Sequence, residues 1–208
     1  QAMVLFRDAV AMRDQSPALK RRLKQSGAPP NVWNLADLAT GSFYRPIASD
    51  DAQSGPRPHC GLIDEVHEHK SALVVDMMRA GTKGRTQALI FEITNSGFDR
   101  HSICRQHHEY SLKVLQGALV DDAWFAYVCA LDLCPTCVAK GTRQQGCTEC
   151  DDWRDERVWP KANPNLGVSV TAKYLREQVR EAVGMPAKQN IVRRLNFCEW
   201  TEQDERSI

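Results

Sequence analysis

His59-Cys60-Gly61-Leu62-Ile63-Asp64-Glu65-Val66-His67-Glu68-His69 is the stretch on which the fold turns. A short apolar run, Gly61 to Ile63, ends abruptly in two adjacent carboxylates. A buried strand that terminates in Asp-Glu is how a parallel α/β sheet delivers acids to its carboxyl edge, where ligands bind. In a nucleoside-triphosphatase the first acid holds the Mg²⁺ shell and the second polarises the attacking water. This is the Walker B pattern with its catalytic glutamate, so Asp64 and Glu65 are candidate catalytic residues. The competing reading is an apolar strand running into a helix N-terminus, where the dipole favours acids anyway.

Downstream, residues 65–80 read as a helix with His69, Ala72, Leu73, Asp76, Met77 and Ala80 on one face and Gly81 as its cap. A second apolar strand, Gln87 to Ile93, ends in Thr94-Asn95-Ser96-Gly97. Thr94, Asn95 and Ser96 at such a tip can sense a γ-phosphate or the attacking water; the plainer alternative is a strand-ending turn. Asp99 to Gln116 reads as a helix striped by Ile103, His107, Tyr110 and Val114. Arg100 and Arg105 on it, with Arg45 upstream, are candidates to meet the charge of a phosphoryl transition state, and the sequence does not rank them. Trp124 to Ala130, aromatic and β-rich, reads as a third strand.

Upstream, residues 1–24 read as one amphipathic helix carrying Ala2, Leu5, Phe6, Val10 and Met12, with Lys20-Arg21-Arg22 crowding its end. Ser26-Gly27-Ala28-Pro29-Pro30 breaks it. Residues 31–50 suggest two short strands turning at Thr40-Gly41-Ser42, followed by a polar loop from Ser49 to Gly55. The alternation of strands and helices argues for a parallel sheet with crossover helices. Residues 171–183 predict a further helix (Leu175, Val179 and Val183), and residues 190–200 a final helical or extended run.

The most specific local signal is Cys134-Pro135-Thr136-Cys137 with Cys147-Thr148-Glu149-Cys150: two C-x-x-C knuckles, nine residues apart, with Gly141 and Gly146 between. This spacing fits a tetrahedral Cys₄ zinc site of the closed, structural kind; a redox C-x-x-C is the rival. Cys60, Cys104, Cys129 and Cys198 lie in apolar runs and are expected to be buried and inert. Lys140 and Arg143 in the knuckle loop are possible nucleic-acid contacts or plain surface. His67 and His69 can pair with Asp64 in a metal reading, but position 71 is Ser, so H-E-x-x-H is not formed. Satisfied or surface histidines are the alternative there, and for His101, His107 and His108.

The chain of 208 residues is long enough for one large domain, or a domain with a small module. Lys+Arg 27 against Asp+Glu 26 leaves no bulk electrostatic footprint for nucleic acid. Without an 18-residue apolar run or a signal-peptide core, the chain is expected to be soluble and intracellular. The phosphate loop G-x-x-x-x-G-K-[ST] does not occur in it. Both ends look cut, so the expectation is a segment of a longer protein whose phosphate loop lies upstream.

Taken together, several segments resemble the large terminase subunit of tailed bacteriophages, in the HK97-like lineage. They are Gln1-Ala2 opening a helix, Thr40-Gly41-Ser42 with Ser49-Asp50-Asp51, Leu62 to Glu65, Ile93 to Phe98, Asp121-Asp122 and Asp151-Asp152-Trp153. Trp159 to Asn165 and Asn196 to Trp200 complete the set. The resemblance implies an ATP-driven motor that packages double-stranded DNA into a procapsid in the host cytoplasm. It would work with a portal protein and a small terminase subunit, as a ring homo-oligomer and away from membranes. It implies an α/β, partial P-loop fold of the additional-strand catalytic-glutamate class: three layers, a mostly parallel sheet and a small Cys₄ zinc-knuckle insertion. By the same resemblance Asp64 is the Mg²⁺-associated aspartate, Glu65 the catalytic base, and Thr94, Asn95 and Ser96 the motif coupling hydrolysis to movement, with Mg and ATP as cofactors. The expected organisation is a partial ATPase core over 1–130, the zinc-knuckle insertion over 131–153, and over 154–208 the rest of the ATPase domain with a linker toward a nuclease beyond Ile208. Such a segment alone is not expected to hydrolyse ATP. The alternative is a non-enzymatic, zinc-containing prophage remnant that binds DNA or protein.

Overall fold

The computed structural model describes residues 2–27, 32–47, 57–144 and 146–201. The polar loop from Ser49 to Gly55, including Ser49-Asp50-Asp51, lies outside the described residues, as do Gln1 and Ala28-Pro29-Pro30. The chain divides into two units, residues 1–65 with 73–92, and residues 66–72 with 93–208.

The first unit opens with α1 (Ala2–Gln15) and α2 (Pro17–Arg22) rather than one helix over 1–24. Ser16 is the reason. Its hydroxyl accepts from the Leu19 amide at 3.4 Å, and Pro17 takes the first helical position, where its missing N–H costs nothing. The inward stripe of α1 is also shifted from the expected one. Phe6 is fully buried, while Met12 is 66% exposed and Arg13 turns inward in its place. The Arg13 guanidinium is satisfied there by the Leu23 carbonyl (3.2 Å), the Gln25 amide oxygen (3.2 Å) and Asp14. Residues read as the helix end instead begin a strand, β1 (Leu23–Ser26).

Three strands, β1, β2 (Asn34–Asp37) and β3 (Ser42–Tyr44), form an antiparallel meander with Leu35 opposite Tyr44. The short β2–β3 turn, with Gly41 at φ +72°, leaves room only for an antiparallel return. This part of the expected mostly parallel sheet is therefore antiparallel. Phe6, Val32 and Leu35 form its core, with the Phe6 and Tyr44 rings 5.6 Å apart. Lys20, Arg21 and Arg22 are exposed. Arg22 bridges to Asp37 at 2.7 Å, and that hydrogen bond holds the Asp37 carboxyl below its usual range.

The acid-ended strand is β4 (Cys60–Asp64). It pairs with β5 (Leu89–Ile93) in a small parallel sheet, with α3 (Leu73–Gly81) between them in sequence. Residues 65–80 are not one helix. A 3-10 turn, Val66–Glu68, comes first, and α3 starts only at Leu73. The buried residues of α3 are Val74 and Val75, whereas Leu73 is 53% exposed and Asp76 is exposed. Gly81 is the last helical residue, in ordinary right-handed geometry, and not a left-handed cap. Cys60 is exposed, against the expectation of an inert buried thiol.

The second unit is mostly helical. It holds α4 (Ile103–Leu115), α5 (Pro135–Lys140), α6 (Trp159–Ala162), α7 (Ala172–Gly184) and α8 (Gln189–Phe197). Ser102 and Thr171 cap α4 and α7 by accepting from the amides of Arg105 and Tyr174, both at 3.2 Å. The core gathers Leu131, Trp153, Trp159, Leu175, Ala182, Val192 and Phe197. On α7 it is Ala182 that packs inward, and the expected Val183 is 54% exposed. Trp159, 1% exposed, donates its indole N–H to the Trp153 carbonyl at 2.8 Å.

Residues 124–130 are not a strand. Trp124 packs edge-on against Tyr110, 4.7 Å between rings, and donates to Ser111 at 3.0 Å. Beyond it Phe125 and Tyr127 are 87% and 74% exposed, and no neighbouring strand pairs with this segment among the described residues. The β-rich composition is present, but a strand is defined by its ladder.

Trp159→Ala removes the largest fully buried side chain and leaves a cavity with an orphaned Trp153 carbonyl. The expected cost is about 3–5 kcal/mol, read as a lower midpoint in urea unfolding.

Candidate metal centre and acidic strand end

Where β4 ends, its residues alternate: Gly61 and Ile63 are buried and Leu62 is 48% exposed, with Asp64 and Glu65 half-buried. Gly61 lets the strand sit close to its neighbours. A Cβ there would lie 3.0 Å from Ile90 Cδ1 and 3.3 Å from Met78 Cε. Glu65 then adopts φ +53°, the left-handed region, shared among described non-glycine residues only with Cys198. A β-carbon in that region costs roughly 1–2 kcal/mol, and such strain clusters at functional sites.

The other expected site residues lie in the second unit. Thr94 Oγ1 accepts from the His67 amide at 3.0 Å, lies 3.1 Å from His67 Nδ1, and donates to the Asn95 carbonyl at 2.9 Å. The His67 side chain is 4% exposed and its Nε2 lies 3.1 Å from Glu68, so this is a satisfied histidine. Asn95 accepts at its side-chain oxygen from the Cys198 thiol, 3.7 Å away. Ser96 is buried, and its hydroxyl points at the carbonyls of Glu199 (2.8 Å) and Arg194 (3.2 Å).

The three arginines differ. Arg45, in the first unit, lies 5.7 Å from the centre of the Phe43 ring. Arg100 is exposed, just before α4. Arg105 is held: its Nε donates to Glu109 at 2.7 Å and its guanidinium lies 4.8 Å from the centre of the Trp200 ring. His108 also packs on Trp200, at 5.5 Å. Burial, then the nearby Arg105 charge, pushes its pKa down to about 4.

Cys134, Cys137, Cys147 and Cys150 converge. Their four sulfurs lie within 4.8 Å of one another, and three of the four residues are buried. Two backbone amides donate to sulfur: Cys134 N–H to Cys150, and Gln144 N–H to Cys137, each at 3.2 Å. Backbone donors at Glu149 and Cys150 also lower the Cys147 thiol to about 7, while burial pushes Cys150 up to about 12. Donors aimed at sulfur, four-fold convergence and left-handed Gly141 and Gly146 fit a tetrahedral thiolate-bound metal. This is the one group of three or more potential ligands found among the described residues.

Arg143, expected as a nucleic-acid contact or plain surface, instead ties this module to the chain's exit, and Thr142 and Glu199, which sequence reasoning did not single out, complete the tie. Arg143 donates to the carbonyls of Asp151 (2.8 Å) and Cys147 (3.0 Å), and its Nη1 lies 4.0 Å from Glu199 Oε1. Thr142 donates to the Trp200 carbonyl at 2.8 Å. The Glu199 carboxylate is 3% exposed and takes Arg193 at 2.5 Å.

Three comparisons bear on this chain. The family model for the terminase large subunit, endonuclease domain, matches residues 145–208. Protein YmfN of Escherichia coli (strain K12) is 30% identical over 146 residues, covering 70% of this chain and 29% of that protein. The crystal structure of the HK97 bacteriophage large terminase aligns with a TM-score of 0.74 at 18% identity, over 96% of this chain and 37% of that one. The chain thus spans well under half the length of both relatives. No helix among the described residues is long and apolar enough to cross a membrane.

Cys147→Ser should release the metal, taking zinc content from one ion per chain to none. Acid should destabilise the second unit in a defined window. Unfolded histidine binds its proton near pH 6.5, but folded His108 does so only near pH 4. Stability is therefore retained above about pH 6.5 and lost as pH falls toward 4. His108→Gln should flatten that slope in unfolding experiments across this range.

Proposed function

Because the chain belongs with the large subunits of phage terminases, we propose that it is a DNA-packaging segment that carries the closing part of the ATPase motor and enters the nuclease domain. The observation that carries the motor half is the strained Glu65 directly after Asp64 at the end of a short parallel sheet. In that position Asp64 would hold the Mg²⁺ that accompanies ATP, an ion that neutralises charge developing on the phosphates. Glu65, turned out of the strand by its left-handed backbone, takes the proton of the attacking water. Thr94, Asn95 and Ser96 serve as the coupling loop, and Arg45, Arg100 and Arg105 remain the candidates to meet the phosphoryl charge. Arg105 is a weaker choice, since Glu109 and Trp200 already occupy it.

The family match over 145–208 supports placing the start of the nuclease domain inside this chain rather than wholly beyond Ile208. We assign no cleavage step to its described residues. Three acids close together there are taken up by basic neighbours: Asp152 by Arg154 (2.6 Å), Asp155 by Arg157 (2.6 Å) and Glu156 by Arg176 (2.7 Å). The Arg157 guanidinium beside Asp155 holds its carboxyl down to about 2. The Cys₄ centre is a structural zinc site with no open position for chemistry. Double-stranded DNA, a portal, a small subunit and a ring of like subunits are the partners this reading requires. The alternative of a non-enzymatic remnant gains no support from the comparisons.

Glu65→Gln in the full-length protein should lower ATP turnover by about 10²–10⁴-fold with nucleotide binding retained. Turnover at the wild-type rate would remove Glu65 from the base role.

A further inference from the structure

The second unit connects its metal centre to the strand-end loop by a continuous set of contacts. Arg143 is anchored on two carbonyls of the knuckle itself, Cys147 and Asp151, and reaches the buried Glu199 carboxylate. That carboxylate has no hydrogen-bond partner at Oε1, so Arg143 at 4.0 Å is the cation facing its otherwise unsatisfied oxygen. Thr142 holds the next peptide through the Trp200 carbonyl. Glu199 and Trp200 in turn hold the loop. The Glu199 carbonyl accepts from Ser96, and the Trp200 ring lies against Gly97, where a Cβ would sit 3.2 Å from Cζ3. A second route runs through Gly141. Its left-handed backbone brings it against Arg105, where a Cβ would lie 2.7 Å from Nη2, and Arg105 stacks on Trp200.

The geometry points to a metal-dependent strut: occupancy of the Cys₄ centre fixes the conformation of the loop Thr94-Asn95-Ser96-Gly97, through Thr142 and Arg143 to Glu199 and Trp200. The physical reason is that the knuckle has little else to hold it. Its buried residues are Cys134, Cys137 and Cys150, with Leu133 and Cys147 packed alongside. Asp151 stays tied to the Asp132 backbone and to Lys161 without the ion, whereas the Cys147 carbonyl, carried between the two knuckle ligands Cys147 and Cys150, loses its fixed place. Arg143 then loses its Cys147 anchor and pivots on Asp151 alone, so its guanidinium is no longer aimed at Glu199. The exit segment loosens, and Ser96 loses its shorter acceptor, the Glu199 carbonyl, keeping only that of Arg194. This inference rests on the reading of the cysteines as a metal site, and in its functional consequence on Thr94 to Ser96 as the coupling loop.

The test is backbone hydrogen exchange of the whole chain, zinc-loaded and after chelation, with zinc content measured in parallel. Chelation should speed exchange at residues 95–98 and 199–201 at least tenfold, leave residues 34–44 unchanged, and be reversed by added zinc. Arg143→Ala should keep one zinc per chain yet show faster exchange at 95–98 than the zinc-loaded wild type, with a smaller further rise on chelation as the Thr142 and Gly141 contacts are released. Glu199→Gln, which preserves shape, should give the same result more weakly. A chain that binds no zinc would overturn the metal reading and the strut together. Zinc bound and released with unchanged exchange at 95–98 would overturn the strut alone, as would wild-type exchange in zinc-loaded Arg143→Ala.

Discussion

Four sulfurs within 4.8 Å of one another are a constraint the protein cannot meet with packing alone. Neutral thiols are weak hydrogen-bonding groups, and four thiolates repel. A tetrahedral cation would resolve both problems and supply the folding energy that so small an apolar cluster lacks. The rest of the second unit follows from where this cluster sits. Its loop contributes Thr142 and Arg143, these hold Glu199 and Trp200, and the left-handed Cys198 is what turns the chain after α8 so that those two residues face back. Burial of the Cys198 thiol pushes its pKa up to about 11, which keeps it neutral beside Asn95.

The features legible in the sequence were those whose determinants are local. The β4 run and its two acids are consecutive residues, and a strand ending there needs only an apolar stretch and a break. The knuckles were legible because metal geometry fixes residue spacing. The turn at Gly41 was legible through backbone chemistry, and α4 through its apolar stripe, although it starts at Ile103 behind the Ser102 cap and not at Asp99. What failed depended on something distant. Residues 124–130 have strand composition but lack a ladder partner among the described residues. The helix expected over 65–80 was split because Val66–Glu68 is held by a side chain 27 positions away, when Thr94 accepts from the His67 amide. Arg13 displaced Met12 from the inner face of α1 because two later acceptors, Leu23 and Gln25, were waiting for it.

The candidate site divides in the same way. Asp64, Glu65 and the four cysteines announce themselves by type and spacing. Arg143 and Glu199 do not, since a buried ion pair between a loop and a helix exit has no periodicity. The comparisons reinforce the division. The structural likeness extends over nearly the whole chain, whereas the family model starts only inside the cysteine module. The module therefore lies at the seam between the two readings.

Glu65 carries one more consequence. A left-handed backbone at a residue with a β-carbon means that glycine would fit position 65 better than glutamate does, by roughly 1 kcal/mol. Selection for heat resistance alone would drift this position toward glycine and discard the carboxylate on the way. If Glu65 is the base proposed above, its side chain trades robustness for chemistry, and a screen that scores only melting temperature would rank its loss as an improvement.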